Sequence, residues 1–136
     1  MKQAGLIIGV VVLIIGVSVA SVELAGRFLG GNEAKAATVQ CSKIKTHYQV
    51  VFQNNQIMPD VTNAHLCDSL TIINKDNKLR EIAFGPHDHH VAYDGVLERL
   101  LNQEQSLTVT LNQAGNFSFH DHIDDSLVGY FNVSGS

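Results

Sequence analysis

Five of the seven histidines fall in two short clusters, and imidazole is the side chain that proteins use most often to bind metal ions. His87, His89 and His90 lie in the segment GPHDHH, and His120 and His122 lie in the segment FHDH. An imidazole with an ordinary pKa of about 6.5 is mostly deprotonated at neutral pH, so one ring nitrogen has a free lone pair. The two clusters therefore predict one metal site built from both.

The second cluster has the spacing of a β-strand. Residues two apart in a strand point to the same face, with Cα atoms about 6.6 Å apart, so His120 and His122 can converge on one ion. Asp121 points to the other face, in phase with the expected core residues Phe117 and Phe119. Carboxylates beside metal-binding histidines either ligate the ion or orient the rings as hydrogen-bond acceptors. The candidates for these two roles are Asp88, Asp121, Asp124 and Asp125.

The residue types in the clusters favour copper. Imidazoles with carboxylates nearby suit Cu(II) and then Zn(II), and neither cluster contains sulfur that would favour Cu(I). The Irving–Williams order also places copper first at such a nitrogen site. His47 and His65 stand alone in the sequence, and we interpret them as surface or half-buried residues without a metal role. The predicted cofactor is therefore Cu(II), with zinc as the second candidate.

The elements that must position these residues are predicted to be strands. After the first 40 residues the sequence consists of short alternating or β-branched runs separated by turn residues, without helical periodicity. The expected strands are 45–52, 61–66, 69–74, 79–84, 98–101, 106–111, 116–122 and 129–133. Short strands at this spacing predict an all-β fold, an antiparallel Greek-key sandwich or barrel.

The N-terminal segment predicts a membrane anchor. Residues 4–22 form an uninterrupted run of nineteen apolar and small residues. As a helix this run would be about 28 Å long, close to the hydrocarbon thickness of a bilayer. The run is longer than the apolar region of most cleaved signal peptides, although small-residue cleavage sites at 18–20 and 34–36 leave that alternative open.

These features predict three parts in the chain. Residues 1–26 are a transmembrane helix or signal peptide, residues 27–40 are a small polar tether, and residues 41–136 are the folded domain. The domain is expected outside the cytoplasm, at the cell surface or in the periplasm, and secreted if the first part is cleaved. After Arg27 the chain has seven Lys or Arg against twelve Asp or Glu and no basic stripe, which excludes nucleic acid as a partner.

The cysteine pair is expected to be a disulfide. Cys41 and Cys67 are the only cysteines, and outside the cytoplasm an even pair usually oxidises. The bond would close a loop of about 26 residues and stabilise the domain by roughly 3 kcal/mol. Metal binding by the two thiols is the alternative, and it is disfavoured because neither cysteine has a second ligand at CxxC spacing.

Three segments resemble the cupredoxins of the plastocyanin and azurin type. They are LTIINKDNKLREIAF, QSLTVTLNQAGNFSF and GNFSFHDHIDDSLVGYF, and the resemblance extends over residues 48–133. The third segment matches the family's Gly-x-Tyr/Phe-x-Phe-x-Cys ligand strand in register. It also resembles the His-Cys-His-Ile-Asp segment of multicopper oxidases, where His120, His122, Ile123 and Asp124 match. FGPHDHH followed by YDG is similar to membrane-anchored cupredoxin-like proteins of bacteria.

The departures from the family pattern concern the blue-copper site. Such a centre needs one thiolate, two imidazoles and usually a weak thioether ligand. By the resemblance, the thiolate position falls on Asp121 and the first histidine position on Arg80. The second histidine position falls on Asp124 or Ser126, and the methionine position lies near Leu127. The chain is therefore not expected to be a blue electron-transfer protein.

Two hypotheses follow from the resemblance. The histidines that flank the missing cysteine ligate a neighbouring copper cluster in multicopper oxidases, which implies a metal role for His120 and His122, with the GPHDHH loop supplying the other imidazoles. Arg80 and Asp121 would form an ion pair that fills the vacated blue-copper pocket. A solvated arginine and a loop-capping aspartate are the alternative to that pair.

The function that we expect is a membrane-tethered, extracytoplasmic copper-binding module for sequestration, transfer or sensing. One alternative is a metal-free interaction domain at the cell surface, since a fold does not dictate a function. Another is a small copper or zinc redox enzyme. That alternative is disfavoured because an acidic surface repels anionic substrates. The sequence indicates no particular protein partner.

Overall fold

The computed structural model describes residues 37–135, and these residues form strands without any helix. Alternating burial along several strands explains this choice, because these strands present one face to the interior and one polar face to solvent. The nine strands are β1 (His47–Gln53), β2 (Gln56–Met58), β3 (Val61–His65), β4 (Ser69–Asn74), β5 (Arg80–Phe84), β6 (Glu98–Leu101), β7 (Ser106–Thr110), β8 (Gly115–Asp121) and β9 (Asp124–Ser134).

The strands form two sheets that pack as a sandwich. The four-stranded sheet has the order β2-β1-β4-β7, and the five-stranded sheet has the order β3-β9-β8-β5-β6. Most neighbours are antiparallel, as predicted, but β1 pairs with β4 and β3 pairs with β9 in parallel. The two parallel pairs arise because the chain leaves one sheet and crosses to the other before it returns, as a parallel pair requires.

The core lies between the two sheets and is rich in aromatic side chains. Phe52 of the four-stranded sheet meets Phe119 of the five-stranded sheet at a ring-centroid distance of 6.2 Å. Phe84 and Phe131 pack edge to face at 6.1 Å. Each of these four side chains is at most 1% exposed. Burying a side chain of this size stabilises the fold by roughly 1.5–3 kcal/mol, so these aromatic residues hold the sheets together.

One strand is absent from the prediction and one is much longer than predicted, while the other boundaries differ by at most two residues. The unpredicted strand is β2, which is only three residues long and follows the turn-forming segment QNNQ. Asn54 and Asn55 have φ values of 55° each, which is the backbone of a two-residue hairpin turn, and the chain continues directly into β2. The strand β9 begins at Asp124, five residues before the predicted start, because a tight turn at 122–123 connects it directly to β8.

The predicted disulfide is confirmed. Cys41 and Cys67 are bonded, and their Cα atoms lie 5.3 Å apart. The bond fastens the segment before β1 to the turn after β3. The backbone N–H of Val39 also donates to the carbonyl of Asn112 at 2.7 Å. The first described residues are therefore attached to the sandwich at two points.

Membrane attachment stays a prediction. No helix within residues 37–135 is long and apolar enough to cross a bilayer. The predicted anchor at 1–26 and residues 27–36 of the predicted tether lie outside the described residues.

Candidate metal centre

Strand β8 places His120 in the middle of the five-stranded sheet, on its outer face. Phe119 belongs to the interior core, so the side chain of His120 points the opposite way. His120 pairs with Ala83 of β5 on one side and with Val128 of β9 on the other. His122 follows the end of the strand, and its backbone N–H donates to the carbonyl of Glu81 at 2.7 Å. The two histidines thus share the outer face, as the alternation predicted.

The loop between β5 and β6 folds back over this face. It is tied down by two backbone hydrogen bonds, from Gly85 to the carbonyl of Ser118 and from Val91 to the carbonyl of Phe84, each 2.9 Å long. The sharp change of direction occurs at Gly85, which has φ of 88°. A Cβ there would lie 2.9 Å from the amide nitrogen of Val91, so glycine is needed for the loop to close. The closed loop covers His120, which is only 2% exposed although it faces outward.

Four imidazoles from the two predicted clusters meet under this loop. One ring nitrogen from each of His87, His90, His120 and His122 lies within 4.8 Å of the others. Ring centroids of His90 and His122 are 4.7 Å apart, and those of His87 and His122 are 4.8 Å apart in a stacked arrangement. His120 is buried, His90 and His122 are half-buried, and His87 is exposed. We call these four residues the histidine cluster.

Hydrogen bonds to the far side of two rings fix which nitrogen faces the cluster. The Nδ1 of His120 lies 3.0 Å from the carbonyl oxygen of Gly85, and the Nδ1 of His90 lies 2.6 Å from the Oε1 of Glu98. A carbonyl oxygen and an ionised carboxylate have no proton to donate. In both hydrogen bonds the Nδ1 therefore carries the proton and donates it. The neutral rings therefore present an unprotonated Nε2 to the cluster. A carboxylate behind a histidine is the usual support of a metal ligand.

The nitrogens on the inner side of the cluster fit a metal ion. Within residues 37–135, the Nε2 atoms of His90 and His120 and the Nδ1 of His122 are buried without a hydrogen-bond partner. A buried polar atom left unpaired costs about 1–3 kcal/mol. Three such nitrogens at one place can be satisfied by a bound metal ion or by added protons. Three converging lone pairs suit a cation. The histidine cluster can therefore hold a metal ion.

The environment of His120 favours its metal-binding form. Burial lowers the pKa of His120, and the neighbouring imidazoles His90, His87 and His122 lower it further. The hydrogen bond to the carbonyl of Gly85 raises the pKa, and the net shift is downward from 6.5. The ring is therefore neutral at neutral pH, with Nε2 free to bind an ion.

Several predicted site residues lie outside the histidine cluster. His89 and Asp88 are exposed on the loop and contribute no atom to the group. Asp121 faces the interior, as predicted from the alternation. Asp124 accepts a hydrogen bond from Ser126 at 2.6 Å, also outside the cluster. Among the described residues, the carboxylate that supports an imidazole is instead that of Glu98.

Sequence reasoning missed Glu98 because its position depends on strand pairing. Ala83 of β5 pairs with Glu98 on one side and with His120 on the other. The three residues therefore form a row across the outer face, and the small side chain of Ala83 leaves room for the rings. The order of strands β6-β5-β8 was the signal needed to find Glu98, and a single sequence does not supply it.

Arg80 and Asp121 form a buried ion pair on the inner side of the sheet. Both side chains are 0% exposed, and Nη1 of Arg80 donates to Oδ2 of Asp121 at 2.7 Å. Nη2 of Arg80 donates to Asn55 at 3.0 Å and to the carboxylate of Asp76. The guanidinium also lies over the ring of Phe52, 5.7 Å from its centroid. The predicted ion pair is confirmed, and a solvated arginine is excluded.

The ion pair occupies positions that the resemblance assigned to blue-copper ligands. Both described cysteines are in the disulfide, so the described residues offer no thiolate. Burial alone would lower the pKa of Arg80, but the hydrogen bonds that Arg80 donates to Asp76 and Asp121 outweigh it and raise the pKa. The guanidinium is thus permanently charged, and with the carboxylate of Asp121 it fills this end of the interior. The candidate metal centre is the histidine cluster on the other face.

The two sheets and their strand order define a cupredoxin fold, here with a histidine cluster and without the cysteine of a blue-copper site. A purple cupredoxin from Nitrosopumilus maritimus is 14% identical to the chain with a TM-score of 0.57, over 64% of this chain and 99% of that protein. An amicyanin mutant in its Cu(I) form is 16% identical with a TM-score of 0.54, over 65% and 82% of the two chains.

An oxidised mutant of amicyanin is 19% identical, with a TM-score of 0.52 over 64% of this chain and 81% of that protein. No protein-family model matches the chain, and a search of curated proteins gives no match. At these identities the likeness establishes the fold, and the chemistry of the site has to be argued from the residues of this chain.

Proposed function

We propose that this protein is a membrane-tethered copper-binding module that carries its metal outside the cytoplasm, for sequestration or transfer. The observation that carries the proposal is the histidine cluster, in which four imidazole nitrogens lie within 4.8 Å of one another. Three of these rings present a buried nitrogen that has no partner among the described residues. His90, His120 and His122 would hold the ion from the sheet and the loop, and His87 would complete the set.

The choice of copper is supported by the ligand types. An all-imidazole set binds Cu(II) more tightly than the other common divalent ions, and zinc is the nearest competitor. The similarity to an amicyanin in its Cu(I) form and to a purple cupredoxin is consistent with copper. The bound ion would supply a Lewis-acidic, redox-active centre. Glu98 and the carbonyl of Gly85 would orient the imidazoles of His90 and His120 that hold it. Because the described residues offer no thiolate, intense blue colour is not expected.

The tether is supported by the sequence alone. The nineteen-residue apolar run at 4–22 has the length of a bilayer span, and the disulfide between Cys41 and Cys67 is typical of an oxidising compartment. A membrane-attached module with one metal site would keep copper close to the membrane surface. Sequestration or transfer is the use best supported by a site whose converging groups are all imidazole ligands.

The test is a Cu(II) titration of the full-length protein in detergent micelles. Competition with a chromophoric chelator should give one Cu(II) per chain with submicromolar affinity. Replacing His120 and His122 together by alanine should weaken binding by more than about 100-fold, the upper range for removing a mere supporting residue. His65→Ala is the matched control, because this exposed histidine lies on β3 outside the cluster. Binding no tighter than micromolar, or unchanged in the double variant, would refute the proposal.

Thermal unfolding separates the copper module from a metal-free interaction domain. A ligand that binds only the native state stabilises it by about 2.7 kcal/mol when its free concentration is 100 times the dissociation constant. Cu(II) should therefore raise the unfolding midpoint of the wild type and leave that of the His120→Ala, His122→Ala variant unchanged. Equal midpoints with and without Cu(II) and Zn(II) would favour the interaction domain. A larger shift with Zn(II) than with Cu(II) would make zinc the metal.

A further inference from the structure

The four imidazoles of the histidine cluster are not held equally. His120 belongs to the central strand β8 and donates to the carbonyl of Gly85 at 3.0 Å, and His90 donates to Glu98 at 2.6 Å. His122 is held through its backbone, which donates to the carbonyl of Glu81 at 2.7 Å. All three are buried or half-buried. The rings of His120 and His90 are thus restrained by hydrogen bonds, and that of His122 is restrained by partial burial on a hydrogen-bonded backbone, before any ion arrives.

His87 is less restrained than the other three. It is the exposed member of the cluster, and the described residues provide no hydrogen bond to its ring. It lies in the turn that follows Pro86, which is closed by one backbone hydrogen bond, from His89 to the carbonyl of Pro86 at 3.1 Å. Its contacts are with other imidazoles, chiefly the stacked ring of His122. His87 is therefore the ligand that can leave with the least disruption of the fold.

We infer that the site is a fixed tripod of His90, His120 and His122 closed by a displaceable fourth ligand, His87, and that metal enters and leaves on the side of His87. This inference rests on the proposed copper function. An incoming donor group, such as an imidazole on an acceptor peptide or a free amino acid, would take the coordination position of His87 first and then draw the ion out. The partner in metal transfer is thus an acceptor that carries a metal ligand and approaches the exposed turn at 86–89.

The chemistry of the turn supports this direction of approach. Asp88 and His89 are exposed beside His87, so this side of the cluster faces solvent. On the opposite side the ion would be enclosed by the sheet, since Ala83 beneath the rings is 0% exposed. An acceptor therefore has one open side from which to reach the ion.

The histidines of the cluster should contribute unequally to the affinity for Cu(II). Ordering a free side chain offsets part of its binding energy, so losing His87 should weaken Cu(II) binding only by about 2- to 10-fold. Losing the prearranged His120 should weaken binding by more than about 100-fold, beyond the range for a supporting residue. Transfer of Cu(II) from the His87→Ala variant to an acceptor should be at least about 10-fold faster than from the wild type, because the first displacement step is already complete.

The experiment uses full-length protein loaded with Cu(II), with free histidine as the acceptor in stopped-flow transfer measurements. The variants are His87→Ala, His120→Ala and, as the matched control on the same turn, His89→Ala. EPR nitrogen hyperfine structure should report one nitrogen fewer in His87→Ala and no change in His89→Ala. Transfer from the control should proceed at the wild-type rate.

The outcomes separate this inference from the proposed function. If the wild type binds no Cu(II), both are wrong. If the wild type binds Cu(II) but His87→Ala loses as much affinity as His120→Ala, His87 is a full member of the site and the inference is overturned. An unchanged nitrogen count or transfer rate in His87→Ala would overturn it too, and would leave the copper function in place.

Discussion

Removal of the Asp121 carboxylate should destabilise the domain strongly, because this group satisfies three donors inside the protein. Its Oδ2 accepts from Nη1 of Arg80 at 2.7 Å. Its Oδ1 accepts from the backbone N–H groups of Glu81 at 3.0 Å and Ile123 at 3.2 Å. Both Arg80 and Asp121 are 0% exposed, so water does not replace these bonds when the carboxylate is lost. Asp121→Ala would leave a buried cation and two backbone N–H groups without these partners.

The expected cost is about 3–5 kcal/mol, the usual penalty for removing one partner of a buried ion pair. Arg80 keeps its contacts with Asp76 and Asn55, which holds the cost within that range instead of above it. In a domain of this size 1 kcal/mol shifts the unfolding midpoint by roughly 4–8 °C, so the midpoint of Asp121→Ala should fall by more than about 10 °C. Asp121→Asn keeps an oxygen for the amides and should fall between the wild type and Asp121→Ala.

The assay is thermal and urea unfolding of the full-length protein in micelles, followed by circular dichroism. Lys75→Met is the matched control, because it removes an ion pair with Glu104 whose side chains are 40% and 60% exposed. An exposed pair contributes about 0–1 kcal/mol, so the control should unfold close to the wild type. If Asp121→Ala costs less than about 1 kcal/mol and resembles the control, the buried pair does not stabilise this fold as argued.

Three further predictions concern the metal site and the core. Glu98→Gln should lower Cu(II) affinity by about 10- to 100-fold, because the carboxylate that orients His90 is lost; an unchanged chelator titration would show that Glu98 is dispensable. Copper affinity should fall as the pH drops below about 6.5, since protons compete with the metal for the imidazoles. The lowered pKa of His120 keeps that ring available to more acidic pH. A titration in which affinity rises towards acid pH would contradict this. Gly129→Ala should lower the unfolding midpoint, because its Cβ would lie 2.3 Å from the Cζ of Phe119; a midpoint equal to that of the wild type would mean that the ring moves aside.

The acid stability of the ion-pair network follows from the same contacts. Burial alone would raise the pKa of Asp76, but the hydrogen bond from Arg80 outweighs it and lowers the pKa below 3.8. A carboxyl with a lowered pKa in the folded state binds its proton more weakly there than in the unfolded chain. Its contribution is therefore complete above the unfolded pKa and is lost as the pH falls through the folded one. The network is consequently intact across the pH range in which the imidazoles titrate.

The parts of the site that could be predicted are those that depend on local alternation. A period of two residues is enough to place His120 and His122 on one face and Asp121 on the other, whatever the partner strands are. The pairing of Arg80 with Asp121 needed more, because these residues are far apart in sequence. It became predictable only through the resemblance to cupredoxins, which placed both residues at positions of one site.

The parts that could not be predicted depend on the path of a loop or on strand order. Three histidines of the GPHDHH loop were candidates on equal terms, but the turn after Gly85 directs His87 and His90 towards the sheet and His89 away from it. The hydrogen bond between His90 and Glu98 exists because β6 lies beside β5. The cluster lies on the outer face of a sheet, because the loop lies across that face.

The register of β8 decides which chemistry occurs on which side of the sheet. A slip of one residue would carry His120 into the interior and turn Asp121 outward, because alternate side chains point to opposite faces. Two features hold the register. Phe119 packs against Gly129, its pairing partner on β9, at a distance that leaves no room for a side chain at position 129. Asp121 is held by the buried guanidinium of Arg80. The ion pair on the inner face therefore stabilises the fold and also keeps the imidazole of His120 on the outer face, where the loop can close over it.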